Sequence, residues 1–134
     1  MVVACDNTDV RELIARVVGR AGHAVEQVEG PEATVAALVT SPRLAVIALL
    51  PDATATDVVK AVRSAADPTV AAVPLLAVTD DEATTTAASV AGADGTITRP
   101  FHADELTDEL DAILARSPED RAEMRAGAAL KHLD

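Results

Sequence analysis

The sequence predicts an α/β domain: a doubly wound, five-stranded parallel sheet with helices on both faces, followed by one extra helix. Three observations predict it. Short apolar runs recur five times, helical periodicities separate them, and the connections between the two are brief. Right-handed crossovers then place the helices on both faces of the sheet.

Val2-Val3-Ala4-Cys5 reads as the first, buried strand. Asn7 or Thr8 can cap the helix that follows, in which Val10, Leu13, Ile14, Val17 and Val18 share one face. Gly22 is placed to end it in the left-handed conformation. His23 to Val28 reads as the second strand, Gly30-Pro31-Glu32 as a turn with proline at a helix start, and Ala33 to Val39 as that helix, stopped before Ser41-Pro42. Leu44 to Leu50 is an uninterrupted apolar run, the pattern of a strand covered on both faces.

After Pro51-Asp52 a helix is expected from Thr56 to Ala66 with Val58, Val59 and Val62 inward. Pro74 to Thr79 is the fourth strand. Asp81 to Ala91 should be a weak helix, because the β-branched Thr84, Thr85 and Thr86 lose side-chain freedom there, and Gly92 closes it. Gly95 to Thr98 is the last strand, and Ala103 to Ala115 a helix with Leu106, Leu110, Ile113 and Leu114 inward. Residues 1–116 thus form one domain. Ser117-Pro118-Glu119-Asp120 starts a further helix, so 117–134 reads as a helical extension or linker with a thin apolar stripe of Met124, Ala128, Leu130 and Leu133.

A chain of 134 residues suits one domain, burying roughly two-thirds of the surface its unfolded form exposes. The core must be aliphatic, since Phe101 is the only aromatic residue. Twenty-two acidic residues against eleven basic ones give a net charge of −11, which repels phosphate backbones and argues against nucleic-acid binding. No apolar stretch reaches the ~18 residues of a membrane span, and no signal peptide is recognisable. With one cysteine there is no internal disulfide, and the chain reads as cytoplasmic.

In parallel sheets of this kind the functional crevice lies at the carboxyl ends of the strands. The residues there are Cys5-Asp6-Asn7, Ile47 to Leu50, Thr79-Asp80 and Thr98-Arg99. Several short stretches in this order resemble the receiver domains of two-component response regulators. Cys5 to Leu13 resembles that family's acid pair running into helix one, and Pro42 to Ile47 its third strand, with Pro51 just beyond. Val73 to Thr79 looks like strand four with its switch threonine. Ala91-Gly92-Ala93-Asp94-Gly95-Thr96-Ile97-Thr98-Arg99-Pro100-Phe101 is the strongest match, similar to the family's GAD…(T)KPF segment. The resemblance covers residues 1 to about 116 and implies a flavodoxin-like (βα)5 fold.

Receiver chemistry needs two carboxylates from strand one to hold Mg²⁺, an acceptor aspartate on strand three, a lysine on strand five and a hydroxyl on strand four. This chain departs from that pattern. Counting from Pro42 puts Ala48 at the acceptor position, counting back from Pro51 puts Ile47 there, and neither has an oxygen to attack a phosphoryl group. Cys5 replaces the first acid, leaving Asp6 as the one matching carboxylate, so Mg²⁺ binding should be weak or absent and no cofactor is expected. Arg99 stands in place of lysine, Thr79 keeps the hydroxyl, and Thr96 replaces the reporter aromatic ahead of Pro100 and Phe101. Arg99 could pair with Asp6 and hold the pocket closed without metal.

Rival readings are milder. Cys5 could be a redox sensor, but a lone cysteine at a strand end is more often a small buried hydrophobe. Asp52 could accept phosphate, yet it follows Pro51 and should point into the loop. No Gly-rich phosphate loop, metal cluster or nucleophile–base pair suggests an enzyme. The expected function is an atypical response regulator working by phosphorylation-independent protein contact. Its partner could be a histidine kinase, another signalling protein or a second copy. The surface would be the fourth helix, fifth strand and fifth helix (around Ala83 to Ala91, Gly95 to Thr98 and Ala103 to Leu114) or, for a homodimer, the C-terminal helix. Two alternatives stay open: a pocket for a small anionic ligand, and the regulatory N-terminal part of a larger transcriptional regulator or enzyme.

Overall fold

The computed structural model describes residues 2–5, 8–40, 45–48, 53–79, 81–99 and 101–131. Its elements run β1 (Val2–Ala4), α1 (Thr8–Arg20), β2 (Glu26–Val28), α2 (Pro31–Thr40), β3 (Ala45–Ala48) and α3 (Ala53–Arg63). They continue with α4 (Pro68–Ala71), β4 (Leu75–Thr79), α5 (Glu82–Ala91), β5 (Gly95–Thr98), α6 (Ala103–Ala115) and α7 (Pro118–Lys131). All five strands pair in parallel in the order β2-β1-β3-β4-β5, the doubly wound arrangement expected. Chain order reverses direction between β1 and β3, which makes a crevice at their carboxyl ends.

Two apolar layers sandwich the sheet. On one face Val2, Ala4, Leu75 and Ala77 pack with Leu38 of α2, Val58, Val59 and Val62 of α3, and Ala88 of α5. On the other, Val3, Cys5, Leu76, Val78 and Ile97 pack with Ile14 and Val18 of α1 and Leu106, Leu110 and Ile113 of α6. Successive strand residues supply opposite layers, as the period of two requires. Each fully buried aliphatic side chain contributes roughly 1.5–3 kcal/mol, so the missing aromatics are replaced by number.

Several expectations need adjustment. The second strand pairs only over Glu26–Val28, because β1 is itself just three residues long there. Leu13 is 51% exposed and Leu114 44% exposed: each flanks a stripe that Ile14, Val18, Leu110 and Ile113 already complete. The one-turn α4 was not expected, although its signals are visible in Asp67, which caps the Thr69 amide at 2.9 Å, and in Pro68 at the first position. Gly22 and Gly92 adopt φ of 97° and 115°, ending α1 and α5 in the left-handed conformation expected of them.

The threonines of α5 prove to be part of its capping. The Asp81 carboxylate accepts from the Thr84 amide (2.7 Å) and the Thr84 hydroxyl (2.6 Å), while the Thr85 hydroxyl donates to the Asp81 carbonyl. These bonds hold the Asp81 carboxyl below its ordinary range. Among the described residues no helix is long and apolar enough to cross a membrane.

Candidate functional site

The carboxyl ends of β1, β3, β4 and β5 lie side by side. Ala4 is in register with Ile47, Ile47 with Ala77, Ala48 with Val78, and Thr79 with Thr98. Cys5, which follows β1, is 4% exposed and packs in the layer of α1 and α6, as a small apolar residue would. Its amide donates to the Val28 carbonyl, and its own carbonyl accepts from Arg11 Nη1 at 2.9 Å. Arg11 also donates to Gln27 Oε1 at 3.4 Å and lies 3.8 Å from Glu29. Arg11 was not singled out by sequence reasoning. Its place one turn into α1 puts a guanidinium at the mouth of the crevice, but no local motif announces this.

At the end of β4, Thr79 is fully buried. Its hydroxyl is 2.8 Å from the Thr85 hydroxyl, and 3.4 Å from both the Thr98 hydroxyl and the Ile97 carbonyl. A hydroxyl cluster therefore ties β4, β5 and the first turn of α5 together. Arg99 continues the β4–β5 pairing, its amide donating to the Thr79 carbonyl at 2.7 Å, with the residue half-buried. Thr96 is half-buried in β5, in register with Ala77. Phe101 packs against the layer that holds Cys5. Ile47 and Ala48 are described by their backbone within β3. Asp6, Asp52 and Pro100 lie outside the described residues, and with Asp6 so does the expected pairing to Arg99. Among the described residues no three His, Cys, Asp or Glu side chains converge as metal ligands.

A second polar centre lies at the opposite, amino-terminal end of β4 and β5. The Asp94 side chain is 1% exposed, and its Oδ2 accepts from Arg63 Nη2 and from the Leu75 amide, both at 2.8 Å. Its Oδ1 accepts from Arg125 Nη1 of α7 at 2.5 Å. Arg63 spends its other donors on the Gly92, Ala71 and Val73 carbonyls at 2.7–2.9 Å. The Arg63–Asp94 pair thus joins α3, the chain before β4, the α5–β5 turn and α7. Burial pulls the Arg63 guanidinium down to about 10; Asp94 opposes this, and the nearby Arg125 and Arg121 reinforce it. Asp94 belongs to the GAD stretch noted in the sequence, but its partners stand 31 residues away on either side.

No family model and no curated protein matches the chain. Solved structures do. The receiver domain of NtrX from Brucella abortus superposes with a TM-score of 0.75 at 21% identity, covering 87% of this chain and 98% of that one. A Chloroflexus aurantiacus protein described as a response regulator gives 0.75 at 27% identity, over 86% of this chain and 97% of that one. A response-regulator signal receiver domain from Bermanella marisrubri gives 0.71 at 25% identity, over 84% and 95%. This chain has the fold of response-regulator receiver domains. In that fold α5, β5 and α6 correspond to the fourth helix, fifth strand and fifth helix anticipated from the sequence.

Proposed function

We propose that this receiver domain is an atypical response regulator that signals through protein contact without phosphorylation of β3. One feature of the sequence carries the reading: by its two possible counts the acceptor position in β3 falls on Ala48 or Ile47, and neither side chain can form an acyl phosphate. The surroundings agree. Mg²⁺ demands hard oxygen ligands in near-octahedral array, whereas the described end of β1 offers a buried thiol and a carbonyl already engaged by the Arg11 cation. Those described groups do not fit the ion.

The work of the domain is then recognition, not catalysis, in the cytoplasm. The Thr79–Thr85–Thr98 hydroxyl cluster holds the start of α5 against β4 and β5, so the α5–β5–α6 surface has a fixed shape to present. A histidine kinase, another signalling protein or a second copy of the chain is the partner this assigns. Arg99 and Arg11 favour one second reading, in which the crevice takes a small anion beside the apolar β3 end.

Thermal unfolding discriminates. Adding Mg²⁺ with beryllofluoride, a phosphoryl mimic, should leave the melting temperature unchanged, because Ile47 and Ala48 offer the mimic no carboxylate and Asp6 alone is a poor Mg²⁺ site. A rise with Mg²⁺ and beryllofluoride together contradicts the proposal, while a rise with inorganic phosphate alone selects the anion site.

A further inference from the structure

We propose that α7 is a detachable strap, docked on the rest of the domain by Arg121 and Arg125 and released as a unit. The observation behind it is an inversion of burial among the described side chains of this helix, which end at Gly127; those of Ala128, Leu130 and Leu133, expected in its apolar stripe, lie outside them. Met124 is 49% exposed, and Ala122 and Ala126 are exposed too, while Arg121 is buried and Arg125 half-buried. The two arginines are one turn apart and so share a face. Arg125 reaches Asp94 Oδ1, Arg121 Nη1 donates to the Arg116 carbonyl at 2.7 Å, and the helix lies against α5. Charge and hydrogen bonds dock α7; its described apolar side chains stay in water.

Such a contact can open without wrecking what it leaves behind. Asp94 keeps Arg63 and the Leu75 amide when Arg125 departs, so no uncompensated buried carboxylate results. Docking also has an internal cost, because Arg121 Nε is buried and, among the described residues, has no hydrogen-bond partner. Arg121 and Arg125 both lie near enough to Arg63 to repel its charge, and release of α7 removes these two cations. Ser117 accepts from the Asp120 amide at 3.1 Å, and Glu119 and Asp120 occupy the first turn, so the helix carries its own start signal. Because α5 belongs to the surface assigned to partners, release of α7 would uncover part of it. That consequence rests on the proposed function; the docking itself does not.

Amide hydrogen exchange on the full chain tests the docking, at low and high NaCl, for the native sequence, Arg125→Ala and Arg121→Ala. In Arg125→Ala, peptides from α7 should exchange about tenfold faster or more, the loss expected for a charge-assisted hydrogen bond, with β1, β3 and β4 keeping their protection. High NaCl should accelerate α7 in the native chain and do little further in Arg125→Ala. Arg121→Ala should shift α7 less, since a buried unpaired donor leaves with the bond it loses. Unchanged α7 exchange in Arg125→Ala overturns the strap, as does exchange of α7 in step with β4. Global unfolding of Arg125→Ala would also overturn it, by making α7 part of the core. These readouts do not involve a partner or the crevice, so their failure leaves the proposed function standing.

Discussion

Replacing Asp94 with alanine should destabilise the domain by about 3–5 kcal/mol, the cost of stripping the partner from buried charge. The residue is 1% exposed and satisfies Arg63, Arg125 and the Leu75 amide together. Without it, Arg63 is left in a site where burial already disfavours its charge, and β4 loses an acceptor at its first residue. Against a total stability of roughly 5–15 kcal/mol for a domain, this is a large share. Urea unfolding followed by far-ultraviolet circular dichroism gives the number. Asp94→Asn keeps the oxygen for Leu75 but not the charge, so its midpoint should fall between those of the native chain and Asp94→Ala. Equal midpoints for all three would show that the ion cluster adds nothing.

Leu76→Ala should cost about 2–5 kcal/mol by the same measurement. Leu76 is fully buried in β4, in the layer where α1 and α6 meet the sheet. Its neighbours there are Val, Ile and Leu from rigid elements, and the only large aromatic, Phe101, sits at the margin of that layer. Little can swing in to fill the space, so the loss should fall toward the upper part of the range. Truncating the half-exposed Leu13 or Leu114 should cost far less, and that contrast separates packing from hydrophobicity as such.

The elements legible in the sequence were those written in local terms. β5 (Gly95–Thr98) and α6 (Ala103–Ala115) match the expected bounds, because glycine, proline and a clean apolar period mark both ends. The strand expected from His23 shortened because pairing depends on β1, which no local pattern in β2 reveals. Leu13 and Leu114 misled because an apolar stripe read at helical period is wider than the face that packing accepts. The strand-end residues Cys5, Ile47, Ala48, Thr79 and Arg99 could be named in advance, since parallel topology determines where a crevice forms. What the sequence could not display were contacts between distant segments: Arg11 on the Cys5 carbonyl, the Thr79–Thr85–Thr98 hydroxyls, and above all the arginines that meet at Asp94.

The α5 helix illustrates the same point in reverse. Three successive threonines lower helix propensity, yet here Thr84 and Thr85 close bonds with Asp81 and Thr79 that a better helix former could not make. Local preference is overruled by the tie to β4, and that tie anchors the beginning of α5.

A β3 strand without a phosphoryl acceptor gives acetyl phosphate and Mg²⁺ nothing to modify, and intact-mass spectrometry after incubation with both reads this out. One unmodified species is expected at every time point. A stoichiometric phosphoryl adduct, labile to hydroxylamine as an acyl phosphate is, would contradict it.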